Sequence, residues 1–262
     1  FPFPSTLPIE GWPTQVGGQT LDQTQRDSQG LGGDRHAITV QPGTGYFWEN
    51  WQAYLTTNNP VWQASNLAKF NLTTNTLRPA GWTSGDAAGF PMFPAVIRYD
   101  EVERGAIEHA LRIIVKHTRA QYIYPATHHA SNPSTTNPDV PAMGQRLRLK
   151  ASFTIPATWT KQSKAVAVAL KKYGAMMSDN GGFFSISSTP DDRWPSGCFN
   201  DLLALNADNF DVIQTTGATE GPRSPNPPST QAGADQTVTI DVGATLAGSA
   251  SGTGLSTLWY VY

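Results

Sequence analysis

Between Ala106 and Lys116 the chain alternates. Ile107, His109, Leu111, Ile113 and Val115 fall on one side; Glu108, Ala110, Arg112 and Lys116 fall on the other, with Ile114 the one exception. A period of two over this length specifies a strand buried on one face, which commits the chain to a sheet with a core against it. Ahead of the strand, Gly81 to Pro94 is a loop of Gly, Pro and small residues, followed by Ala95 to Tyr99 and the acid pair Asp100-Glu101. Asp100-Glu101-Val102-Glu103 fits a capping box with Gly105 as the stop, so one helical turn is expected before the strand. An acid pair and His109 at the entrance of a core strand are the makings of a site.

Other stretches point the same way. Tyr46 to Tyr54 is aromatic and strand-like, with Phe47, Glu49, Trp51 and Ala53 on one face and Tyr46, Trp48, Asn50, Gln52 and Tyr54 on the other. Ala37 to Val40, Gln121 to Pro125, Leu147 to Ile155 and Phe210 to Gln214 read as further strands, and Ala68 to Asn75 as a small hairpin. Asp179-Asn180-Gly181-Gly182 reads as a tight turn between strands Ala175–Met177 and Phe183–Ile186. Lys161 to Tyr173 carries helical spacing at Val166, Leu170 and Tyr173, with Gly174 closing it. The expected fold is mainly β: a jelly-roll-like sandwich of two antiparallel sheets with one main helix outside. Residues 1–33, rich in Pro, Gly, Gln and Thr, read as an extended arm; 1–214 form the main domain, 215–230 a Pro-rich linker and 231–262 a separate tail.

Charge narrows the partners. With 18 Lys and Arg against 20 Asp and Glu the net charge is −2, which speaks against nucleic acid and anionic membranes. No apolar run is long enough to span a bilayer. The single Cys198 rules out an internal disulfide framework. Low charge, eight Trp and eight Tyr fit a secreted protein, expected as a monomer, and Phe1 in place of an initiating Met fits a processed start. Asn71-Leu72-Thr73 is a glycosylation sequon.

The tail sequences Ala232 to Thr239, Ala244 to Ser251 and Leu258 to Tyr260 resemble the opening strands of a polycystic-kidney-disease-type (PKD) immunoglobulin-like module, which the chain would leave truncated. In secreted bacterial proteins such modules commonly accompany carbohydrate-degrading domains, an analogy of architecture. Within residues 30–213, Asp34-Arg35-His36, Arg78 to Ser84, Arg98-Tyr99-Asp100-Glu101-Val102, His109-Ala110-Leu111-Arg112, Pro141 to Arg146 and Asp179-Asn180-Gly181 resemble a group of secreted bacterial proteins often fused to immunoglobulin-like modules. That resemblance implies an architecture and leaves the reaction open.

The chemistry expected is glycoside hydrolysis, which needs one carboxyl to protonate the leaving oxygen and another as nucleophile or base. The candidates are Glu49, Asp100, Glu101 and Asp179, with His109 as an additional acid or base. Glu49 lies between Trp48 and Trp51, where an indole environment would raise its pKa; the competing reading puts it on a solvent face. Asp100 competes with its own role as a helix cap. Trp48, Trp51, Trp82, Tyr99, Arg35 and His128 are the candidates for contacting a polysaccharide. A metal site of His36, His109, His128 and Asp34 lacks diagnostic spacing, and adjacent His128 and His129 on an extended chain should face opposite ways, so no metal and no cofactor is expected. Ser84 lacks the flanking glycines of a nucleophile elbow, and Cys198 reads as a packed thiol. The alternatives to an endo-acting glycoside hydrolase are a non-catalytic glycan-binding or adhesion module and a polysaccharide lyase using His and Tyr.

Overall fold

The alternating segment does become a core strand, but a shorter one, and both of its faces are covered. In the computed structural model, residues 3–12, 18–27, 33–57, 61–130, 137, 139–182 and 184–213 are described, together with the backbone of 229–231 and 249–251. The chain is mainly β with few helices. It opens on a short helix α1 (Leu21–Arg26), followed by β1 (Ala37–Gln41), β2 (Tyr46–Trp51), β3 (Tyr54–Leu55), β4 (Trp62–Gln63) and β5 (Asn66–Asn71). Then come α2 (Tyr99–Arg104), β6 (Leu111–Val115), β7 (Arg146–Leu149), α3 (Lys161–Lys172), β8 (Ala175–Asn180), β9 (Ser185–Ile186) and β10 (Phe210–Ile213).

β1, β2 and β5 form a three-stranded antiparallel sheet. The residues expected to close a hairpin after Ala68 instead end a strand that pairs with β2, Trp48 facing Lys69 and Trp51 facing Asn66. The second sheet has the order β10-β7-β8-β6-β9. It is mixed, where an antiparallel sheet was expected: β6 and β8 run parallel. The connection between them is long enough to carry β7 and α3, as a parallel crossover requires. β6 also separates β8 from β9, so Asp179 to Gly182 is no hairpin turn; Asp179 and Asn180 are the last residues of β8 itself.

α3 forms where its pattern predicts. Thr160 caps it by accepting the Ser163 N–H at 3.1 Å, and Gly174 leaves it at φ 73°. A side chain at Gly174 would drive a Cβ to 2.3 Å from the Leu147 carbonyl oxygen, so this exit from the helix admits only glycine. Val166 and Leu170 bury against Leu111, Ile113, Leu149, Ala175 and Met177, the helix-side residues of the larger sheet. On the opposite side Met176 packs with Ala88, Phe90 and Met143. A sheet covered on both faces explains why Arg112, on the expected solvent side of β6, is only 4% exposed.

α2 starts two residues earlier than the capping box predicts. Glu101, at its third position, reaches back to accept the Arg98 N–H at 3.1 Å, while Asp100 is exposed and caps nothing. Gly105 ends the helix in the left-handed region, as expected. His109 precedes β6 and lies outside it. Residues 121–125 contribute only an isolated bridge between Tyr122 and Met143. The N-terminal arm is anchored: Leu7 and Ile9 bury with Ala37 and Ala53.

The chain divides into two units, Phe1–Gln214 and Thr215–Tyr262. In the second, β11 (Ser229–Gln231) and β12 (Ser249–Ser251) pair antiparallel; the rest of the expected linker and immunoglobulin-like tail lies outside the described residues.

Candidate active site

Three carboxyl groups gather around one guanidinium on the side of the larger sheet away from α3. Arg112 of β6 forms a two-point ion pair with Asp86, Nε to Oδ2 at 3.0 Å and Nη2 to Oδ1, and its Nη1 donates to Ser187 Oγ. Burial alone would lower the pKa of Arg112; the charge and hydrogen bonds of Asp86 reverse this and hold it above its ordinary value. Asp86 is itself fully buried. It sits in a loop tied by Ser84, whose hydroxyl bonds the Asp86 and Phe90 carbonyls.

Glu49 and Asp179 both feel this pair. Glu49 is fully buried in β2 and accepts the N–H groups of Met92 and, at 2.9 Å, Phe93 through Oε1, while its Oε2 has no partner among the described residues. Burial pushes its pKa up to about 8 against the pull of the Phe93 N–H, with Asp86 adding to the rise. The carboxyl is therefore protonated at neutral pH, and its desolvation is that of full burial in the core. Asp179 accepts the Ala87 N–H at 3.2 Å, and burial, then the Asp86 charge, raises it to about 6. Burial first, and the Asp86 charge after it, raises both carboxyls, so Glu49 keeps its proton at neutral pH and Asp179 gives its proton up only near pH 6.

Asp179 reaches this cluster because β8 carries a bulge. Ile113 pairs with Met177 and Ile114 with Asp179, leaving Ser178 as an extra residue. Ala175 and Met177 face α3, so strict alternation would send Asp179 there too; the bulge returns it to the loop side.

Asp179 lines a cavity of about 420 Å³ together with Asp34, Trp51, Asn66, Ser84 and His128. Asp34 is exposed. His128 Nδ1 lies 2.8 Å from the Ala87 carbonyl, which only accepts, so Nδ1 carries the proton and neutral His128 has Nε2 as its acceptor. Its ring stacks on His129 at 5.6 Å, contrary to the expectation that the two face opposite ways. Glu49 lies behind the cavity wall: a Cβ built on Gly85, which lines the cavity, would come within 3.5 Å of Glu49 Oε2.

A second, larger opening of about 730 Å³ lies along β2 and β5. Tyr46 and Trp48 contribute from β2, Lys69 and Phe70 from β5, and Arg78 and Trp82 from the following loop. The segment 78–87 thus lines both openings, the groove with its first part and the Asp179 cavity with its second.

The remaining predicted site residues are elsewhere. Asp100, Glu101, Tyr99 and His109 line neither opening. Glu101 is 5% exposed and is shared by Arg98 and, at 3.2 Å, His109 Nε2. Tyr99 packs on Trp194 under the Arg193 guanidinium. Arg35 is buried and ties the Ala53 and Thr24 carbonyls together. Among the described residues no three His, Cys, Asp or Glu side chains are grouped to hold a metal, and His36, His109 and His128 sit in different places. Sequence reasoning passed over Asp34 as an acid, and Asp86 and Arg112 altogether. The signal for the last was an arginine in the apolar run Leu-Arg-Ile-Ile-Val.

No protein-family model, no curated protein and no solved structure matches this chain, so its chemistry is read from its own side chains.

Proposed function

We infer that this is a carbohydrate-active hydrolase whose site is the Asp179 cavity. The observation that carries the reading is that two carboxyls line one cavity, Asp179 with its pKa raised to about 6 and Asp34 exposed. Glycosidic hydrolysis needs a carboxyl that still carries its proton near neutrality and a second carboxylate to activate water or attack the sugar. Asp179 takes the first role and Asp34 the second. Trp51 offers a ring face for a sugar, and Asn66 and His128 offer hydrogen bonds to hydroxyls. Glu49 stays behind the wall and acts on Asp179 only through the shared Asp86–Arg112 pair. A secreted, endo-acting enzyme on a polysaccharide suits a cavity and a groove lined by one segment, 78–87. A jelly-roll-like layering of the sheets, expected from the strand pattern, and an immunoglobulin-like tail, expected from the sequence resemblance, would accompany such an activity.

The test is incubation with a panel of polysaccharides, read as new reducing ends. Asp179→Asn keeps the shape and removes the proton, and should lower turnover by about a hundredfold or more. Because the general acid must be protonated, the wild-type rate should fall as pH rises through about 6. Full turnover by Asp179→Asn, or no reducing ends from any glycan, overturns the reading. The aromatic groove favours a second reading, a module that binds glycan without cutting it; retention on a glycan column without turnover would establish that one.

A further inference from the structure

The groove on the smaller sheet is more specific than a set of aromatic rings. Lys69 Nζ stands 3.7 Å from the Tyr46 ring centre and 5.7 Å from that of Trp48. The Arg78 guanidinium stands 5.4 Å from the Trp82 ring and 5.7 Å from Phe70. No acidic side chain is among the described residues lining the groove, although acids outnumber bases in the chain. Neither cation has a carboxylate within ion-pair distance among the described residues, and Arg78 Nε is buried without a partner there. The register of β2 and β5 builds this pattern: Trp48 faces Lys69 directly across the pair.

Two cations at separate points of an aromatic-lined groove match a chain that offers flat sugar faces and a carboxylate on some of its rings. We propose that this groove binds a uronate-containing polysaccharide, its carboxylates paired with Lys69 and Arg78 and a sugar ring laid on the exposed Trp82. A single-stranded nucleic acid would also use aromatic faces, but it carries a phosphate at every nucleotide and calls for a longer basic track than two residues. The inference rests on the carbohydrate reading in its choice of ligand and not on hydrolysis at Asp179.

The experiment uses the full chain made without N-glycans, since Asn71 of the sequon lines the groove. Binding is measured by gel retardation and calorimetry on the Asp179→Asn protein. The probes are polygalacturonate, alginate and hyaluronan, each beside its carboxyl-reduced counterpart. At least one acid polymer should bind, its neutral counterpart roughly tenfold or more weakly, and the preference should shrink with added salt. Lys69→Gln should remove most of that preference. Lys69 is exposed, so its loss should leave folding intact; Trp82→Ala, at a residue 57% exposed, should weaken acid and neutral polymers alike. Equal binding of acid and reduced polymers, binding unaffected by Lys69→Gln, retention of none of the three acids, or tighter binding of oligothymidylate overturns the proposal. Cleavage of neutral glycans without acid binding would leave the hydrolase standing alone. Acid binding without cleavage of anything would leave the groove standing alone.

Discussion

Two acid clusters in this protein each set carboxyls against an arginine, in different proportions. At α2 one buried carboxylate, Glu101, is met by Arg98 and His109. Around β6 three carboxyls, Glu49, Asp86 and Asp179, share one buried Arg112. The first is a surplus of donors and does a local job, fixing the start of a helix. The second is a surplus of acids, and two of its carboxyls are displaced into the neutral range. Burial, with the Asp86 charge added to it, more than the presence of acidic residues, marks the second cluster as a candidate site.

The largest test of that contrast is to remove the shared cation. Arg112→Gln leaves Asp86 buried and unpaired, and should cost about 3–5 kcal/mol in urea unfolding at pH 7. A loss no greater than that of a surface change would dissolve the contrast. The pH dependence comes next. Glu49 and Asp179 have folded pKa values near 8 and 6, raised from 4.5 and 3.8, so the folded chain binds more protons than the unfolded one between those limits. Their contribution is complete at acid pH and is lost as pH rises through 6 and then 8. Thermal midpoints should fall from pH 5 to pH 9, with a loss on the order of a few kcal/mol that comes mostly from Glu49. Glu49→Gln should flatten this fall and make the variant the more stable protein at pH 9. A wild-type midpoint that rises over that interval would refute the assignment.

The balanced cluster should respond less. Glu101→Ala removes the reach back to the Arg98 N–H and the partner of His109, for about 1–2 kcal/mol. Asp100→Asn should stay within about 0.5 kcal/mol, because an exposed side chain with no cap to lose has little to give up. An equal cost for the two would mean that Asp100, and not Glu101, anchors α2.

Much of the fold was legible. The apolar face of 106–116, α3 with its glycine exit and the stop at Gly105 all follow from local spacing, and each is settled by residues a few positions apart. The pairing of β5 with β2 and the parallel run of β6 with β8 depend on residues far apart in the chain, and no local pattern carries that information. Asp179 was picked out, but as part of a turn, because Asn180-Gly181-Gly182 has strong turn chemistry that the sheet overrides. Glu49 was picked out for its tryptophans, whereas its shift comes from full burial. Arg112 was assigned to solvent because alternation reports two faces without saying whether the second is covered.

The bulge at Ser178 makes the candidate site sensitive to the length of a strand as well as to its composition. Substituting Ser178 leaves the count intact, and Asp179 still faces the cavity. Deleting it would restore strict alternation and turn Asp179 toward Val166 and Leu170, where a carboxyl has no partner. The variation this stretch can accept is therefore lopsided. It has room for changes of letter and none for changes of length, and a single lost codon would remove the acid from its cavity while leaving every residue of the cluster present in the chain.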